Sequence, residues 1–359
     1  ETAFKTIAKL NEMVFEAGDN ILLKCGDVWE ESFFPKGEGN SRNWITLSSY
    51  GEGPKPKISP KGNPTYGIFL DNYAGWRIIG IEVCNAQAGI RLLISEVGQK
   101  DGLWIEDCYI HHIENAPQYP NNVEPGLFMS YGISTYKVLD KGIPSMTNVT
   151  IKNCLIEDTD APMTLCSINN LVIEDVIARN SYKEGVLLSQ INQEPSHIGI
   201  MKNCKILNTG YPKGMYWGTA GMQFNTTKYF IMENCEIAYT KAPGCPDGVG
   251  VDFEGSNVDV TVKNCYIHDN EGSAFMTYRN PTWGVDNVRT NIIGCRVENN
   301  GLKGIKAEAG FLRHKYNKDN GGIIADNEIT IFEGQPLNLV DSLDPELTDL
   351  YPPGYTVYN

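Results

Sequence analysis

Apolar and polar residues alternate with a period of two along much of the chain. The sharpest run is Gly248-Val249-Gly250-Val251-Asp252-Phe253-Glu254-Gly255. Such alternation predicts a half-buried strand, because side chains at i and i+2 share one face. Val251 and Phe253 are expected to face a core. Asp252 and Glu254 are expected on the outer face, about 7 Å apart along the strand. The segment that follows, Val260-Thr261-Val262-Lys263-Asn264-Cys265-Tyr266-Ile267-His268-Asp269-Asn270, recurs in degenerate form through most of the sequence.

The repeating unit has three parts. A first strand starts near a glycine, as at Gly67-Ile68-Phe69-Leu70, Gly89-Ile90-Arg91-Leu92, Gly132-Ile133-Ser134-Thr135, Gly185-Val186-Leu187-Leu188, Gly221-Met222-Gln223-Phe224, Gly250-Val251-Asp252-Phe253 and Gly304-Ile305-Lys306-Ala307. A short second strand ends in Asn-Cys or its equivalent, and a third, shorter strand ends in Asn or Asp. Cys204, Cys235, Cys265 and Cys295 recur at intervals of 31, 30 and 30 residues. From Cys108 to Cys154 the interval is 46, which predicts a long insertion over Ala116–Met129, marked by Pro117, Pro120 and Pro125. From Cys154 to Cys204 it is 50, which fits two short coils, the first carrying Asp175-Val176 in the Asn-Cys frame.

Three short strands per repeat and stacked Asn and Cys predict an all-β parallel β-helix solenoid. A propeller needs about four strands per blade and a blade motif, and neither is apparent. Asn153, Asn203, Asn234 and Asn264 are expected to hydrogen-bond to their copies in neighbouring coils. At the start, Phe4, Ile7, Leu10, Met13 and Val14 stand at helical spacing, predicting an amphipathic helix over Thr2–Phe15 that caps the solenoid. The expected organisation is one domain: 1–60 the cap and first coils, 61–335 the repeat, and 336–359 a tail that leaves it.

Composition narrows the partners. Asp plus Glu number 44 against 30 Lys plus Arg, a net charge of −14, which argues against nucleic acid or an anionic membrane. No apolar run is long enough for a transmembrane helix. The 36 glycines imply many turns. Ten cysteines suggest disulfides until their placement is considered: six fall in one repeat frame and no Cys-x-x-Cys occurs, so a buried ladder of free thiols is expected rather than disulfides or zinc. The opening Glu1–Ile7 shows no leader pattern, as expected of a processed chain, and leaves the compartment open.

The Gly-led strands and the Asn positions resemble the right-handed parallel β-helix proteins of the pectate-lyase-like superfamily. The stretch Phe4-Lys5-Thr6-Ile7, Ala17-Gly18-Asp19-Asn20-Ile21, Gly26-Asp27-Val28-Trp29 and Ser49-Tyr50-Gly51-Glu52-Gly53-Pro54-Lys55-Pro56 resembles the opening of secreted bacterial β-helix proteins that act on polysaccharides. It is especially similar to glycoside hydrolase family 141, which includes xylanase and fucosidase activities. The resemblance implies a right-handed helix, a secreted, extracellular or periplasmic location and catalytic acids on the outer face. The Gly-His-Gly and Arg-Ile-Lys of polygalacturonase-type enzymes are absent, which argues against the pectin-hydrolase branch.

Alternation places Leu187 and Ser189, Gln223 and Asn225, Asp252 and Glu254, Met276 and Tyr278, then Lys306 and Glu308 on the outer faces of successive first strands. Adjacent rungs are about 4.8 Å apart. Polar residues therefore gather into a patch of Gln223, Asn225, Asp252, Glu254, Tyr278, Lys306 and Glu308, with Arg279 just past its strand. Glycoside hydrolysis needs two carboxyls, about 5–5.5 Å apart for retention or 6.5–9.5 Å for inversion. Asp252 with Glu254, or either with Glu308, are the candidate catalytic pairs. The bland reading is a solvated face with Lys306 as an ion-pair partner. Tyr216 and Trp217, with Tyr211, precede the Gln223 strand, and Trp283 follows Arg279, as aromatic subsite walls would. Asp247 reads as a turn residue flanking the same patch. His111, His112 and His268 read as structural, while His197 and His314 are expected in or near loops.

The leading expectation is a monomeric glycoside hydrolase acting on a plant or bacterial polysaccharide or oligosaccharide, xylan-like or a pectin side chain, without cofactor or metal. A lyase or epimerase is the second: acidic residues would hold Ca²⁺, and Lys306 or Arg279 would abstract a proton. No calcium motif supports it. A non-catalytic carbohydrate-binding β-helix is the third.

Overall fold

The structure is a computed structural model and describes residues 4–62, 65–96, 98–114, 129–137, 146–212, 218–243, 247–279, 285–301, 308–315, 321–341 and 356–358. It divides into two compact units, Glu1–Ile177 and Ala178–Asn359.

The first unit stacks coils of three parallel strands. Tyr66–Asp71, Trp76–Ile79 and Glu82–Ala86 form one, Ala88–Ile94, Lys100–Glu106 and Tyr109–Ile113 the next, and Tyr131–Lys137, Met146–Lys152 and Leu155–Thr159 a third. Register makes columns of like residues: Ile68, Ile90, Ile133 and Met163 from first strands, and Ile78, Ile105, Ile151 and Ile173 from second strands. None of these eight is more than 1 % exposed. The period-two alternation is the cause, since it keeps one branched or flexible apolar side chain per rung pointing inward.

The second unit repeats the plan. Val186, Met222, Val251, Phe275 and Leu312 stack from first strands, and Ile206, Ile237, Ile267, Val297 and Ile329 from third strands. Phe224 and Phe253 stack with ring centroids 5.7 Å apart. Strands Asn338–Asp341 and Thr356–Tyr358 pair in parallel with Leu312–Lys315 and Ile323–Ala325, so the segment expected to leave the repeat contributes strands to it.

The thiol ladder is present: Cys108, Cys154, Cys204, Cys235, Cys265 and Cys295 are free and buried, and Val176 fills the same frame at the short coil. The Asn ladder stands elsewhere. Asp107, Asn153, Asp175, Asn203, Asn234 and Asn264 hold φ between 52° and 55° with exposed side chains. Asn and Asp suit this left-handed bend because a short polar side chain tolerates it. Their role is backbone conformation rather than amide stacking, and the coil-to-coil bond is from the main chain, as in Asn264 N–H to Ile293 O at 2.9 Å. Buried amide pairs occur at two other bends, Asn257 Nδ2 to Asn287 Oδ1 and Asn270 Nδ2 to Asn300 Oδ1, both 2.8 Å.

The N-terminal helix is confined to Ile7–Asn11, with Thr6 as N-cap and only Ile7 and Leu10 buried. Phe4 and Val14 are exposed, at 52 % and 70 %, so the helical spacing overstates its length. The expected insertion at 116–129 lies, apart from the buried Met129, outside the described residues.

Candidate active site

Two outward rows cross the first strands of the second unit. Leu187, Gln223, Asp252, Met276 and Arg313 are in register along one. The other contains Ser189 and Asn225, then Glu254 and Tyr278. The sequence thus places Gln223, Asn225, Asp252, Glu254 and Tyr278 correctly on one face. It misplaces the next rung. The strand that pairs with Phe275–Tyr278 on the next rung is Leu312–Lys315, and residues 304–307, where that rung was expected, lie outside the described residues.

Glu308 therefore stands off the strand rung, yet it still reaches the patch. Its Oε1 accepts from Arg313 Nη1 at 2.9 Å, and Asp247 Oδ1 lies 3.5 Å from the same nitrogen. Asp247 opens the strand Asp247–Glu254 with φ 77° and is buried, so it acts as an ion-pair partner at the site edge as well as a bend. Arg279 faces Asp286 at 3.6 Å. Asn225 Oδ1 accepts from Thr226 Oγ1 at 2.9 Å. Tyr278 packs against Met276, Val249 and Ala220, giving the carboxyls an apolar neighbour. Tyr216, Trp217, Trp283 and Lys306 lie outside the described residues. His314 sits on the strand Leu312–Lys315 and is buried, rather than in a loop.

Asp252 is 5 % exposed although it is on the outer face. Glu254 is half-buried, and Gln223 Nε2 donates to its Oε2. This donor favours the ionised carboxylate. The sequence reading missed Glu184, which lies two residues before the strand Val186–Ile191 and is 6 % exposed. Burial, and then the Glu254 carboxylate, push its carboxyl up to about 8. Glu184 therefore keeps its proton to a higher pH than an ordinary carboxyl, and the charge of Glu254 contributes to this. Two carboxyls driven to opposite protonation states are the arrangement that acid–base catalysis needs.

Two solved structures of similar fold are carbohydrate-active proteins. A GH136 lacto-N-biosidase from Eubacterium ramulus is 14 % identical with a TM-score of 0.67, over 99 % of this chain and 63 % of that one. The present chain thus spans less than two thirds of that protein. A point mutant of the periplasmic alginate epimerase AlgG is 11 % identical with a TM-score of 0.51, over 89 % of this chain and 75 % of that one. At these identities the likeness shows the fold alone. No curated protein matches the sequence. The family described as "Right handed beta helix region" matches residues 61–280 and 194–334. With the parallel three-strand coils described above, this makes the chain a member of the right-handed β-helix family.

Proposed function

We propose that the chain is a glycoside hydrolase whose catalytic pair is Glu184 and Glu254. The observation that carries this reading is the buried Glu184, whose carboxyl is pushed up by burial and by the charge of the Gln223-bound Glu254. Glu184 donates its proton to the oxygen of the departing sugar. Glu254 serves the opposite side of the bond, as nucleophile or as base for water, with Asp252 on the same strand holding negative charge against the oxocarbenium-like transition state. Tyr278, packed on the buried Met276, supplies an apolar surface for a pyranose face.

The substrate class follows the resemblance to glycoside hydrolase family 141: a neutral or weakly charged polysaccharide or oligosaccharide, xylan-like or a pectin side chain. The similar fold of a lacto-N-biosidase supports a glycosidase. The same reading takes the protein as a secreted monomer. The test is reducing-sugar release from a panel of neutral and acidic polysaccharides by wild type, Glu184→Gln and Glu254→Gln, with folding checked by circular dichroism. Loss in both variants supports the pair. Ultraviolet-absorbing unsaturated uronate as the product would instead make the protein a lyase, and full activity in both variants would move the site elsewhere.

A further inference from the structure

The outer face of the third strands carries one arrangement of side chains twice. In the second unit Lys205 Nζ meets Glu236 at 2.6 Å, and Glu236 Oε1 lies 3.3 Å from His268 Nε2. Tyr266 stacks on His268 with centroids 3.9 Å apart and donates to Glu298 at 2.6 Å. In the first unit Lys57 meets Glu82 at 2.7 Å, Glu82 Oε1 lies 3.0 Å from His111 Nε2, and Tyr109 stacks on His111 at 4.2 Å and donates to Glu157 at 2.5 Å.

Two positions differ. The residue in register with His268 is Ala238, whereas the residue in register with His111 is Cys84. His268 Nδ1 contacts the carboxylate of Asp269 at 2.6 Å, whereas His111 Nδ1 contacts Nδ1 of His112 at 2.6 Å. The second-unit copy is complete as an ion-pair network. In the first-unit copy a thiol stands where the second has an alanine, and an imidazole where it has a carboxylate.

We propose that Glu82, Cys84 and His111 bind a thiophilic divalent cation of the zinc class, with His112 orienting His111. One ligand atom from each lies within 4.8 Å of the others. Tetrahedral zinc with bonds of 2.0–2.3 Å holds its ligand atoms roughly 3.3–3.8 Å apart, so small side-chain movements close the site. Asn85 Nδ2 donates to Cys84 Sγ at 3.4 Å. Lys57 contacts only Oε1 of Glu82 and is about a third exposed, so it can yield. The side chains of Glu82 and His111 are 13 % and 12 % exposed, leaving a path from solvent. Binding replaces the Cys84 thiol proton with the metal and releases that proton to solvent.

The test is titration of the full chain with Co²⁺, read by thiolate-to-cobalt absorbance, followed by displacement with Zn²⁺. One equivalent with a charge-transfer band is expected. Cys84→Ala, which reproduces the second-unit copy, should abolish the band. Cys84→Ser is the companion should the alanine variant fold poorly. His112→Ala should weaken binding by roughly 10–100-fold. His268→Ala should leave the titration unchanged. Absence of the band in wild type, or its persistence in both Cys84 variants, overturns the proposal.

Discussion

The outer faces of the second strands and of the first strands handle charge in opposite ways. Along the second strands sign alternates from coil to coil. In the first unit Lys152 stands in register between Glu106 and Glu174, 3.3 Å from Glu106. In the second unit Glu233 stands between Lys202 and Lys263, 3.1 Å from Lys263. With rungs about 4.8 Å apart, like charges in one column repel, so alternation is the default for a stack. The first strands of the second unit depart from it. Asp252 and Glu254 share a strand, and Glu184 is buried within reach of the Glu254 charge. Burial, and then the Glu254 charge, push the Glu184 carboxyl up, so the conflict is relieved by a retained proton. Carboxyls gathered and buried on one face point to chemistry rather than stability.

The strongest way to break this contrast is to remove the conflicting carboxyls. Glu184→Gln and Glu254→Gln should each lower kcat/KM by about 10²–10⁴-fold, measured on the substrate that gives reducing-sugar release. The retained proton should also appear in stability. The folded-state value of Glu184 is raised, from 4.5 to about 8. Its contribution is therefore complete below pH 4.5 and is lost as pH rises toward 8. The wild-type Tm should fall across that window, and Glu184→Gln should flatten the fall. Activity should likewise decline above about pH 8 as the acid loses its proton.

Arg313 is the cation at the edge of the same face, between Asp247 and Glu308. Arg313→Met should cost about 3 kcal/mol or more in urea unfolding, because it leaves two buried carboxylates facing one another. Adding Asp247→Asn and Glu308→Gln should recover most of that loss. By contrast, Lys263→Met, which breaks a half-exposed pair of the alternating face, should cost less than about 1 kcal/mol.

The parts legible in the sequence are those fixed locally. A two-residue period places Val251 inward and Asp252 outward whatever the rest of the coil does. A cysteine at one repeat position marks a coil wherever it falls. Glu184 was not legible because its burial comes from neighbouring coils, while the strand that follows it shows only Leu187 and Ser189 outward. Arg313 was hidden by frame: Gly304 imitates the strand-opening glycine, but pairing begins at Leu312. The bend asparagines were read for side-chain hydrogen bonding, whereas backbone φ is what selects them. The repeated histidines read as structural, and His268 fits that reading. The His111 copy differs from it by Cys84, a strand away in space and far away in sequence.

The column of thiols has a practical consequence. Each full coil from Cys108 to Cys295 carries one sulfhydryl that is no more than 3 % exposed. A solenoid whose coils touch only their neighbours can open locally. Alkylation under native conditions, resolved peptide by peptide in a mass spectrometer, would therefore record how often each coil opens, with the protein's own cysteines serving as a set of clocks.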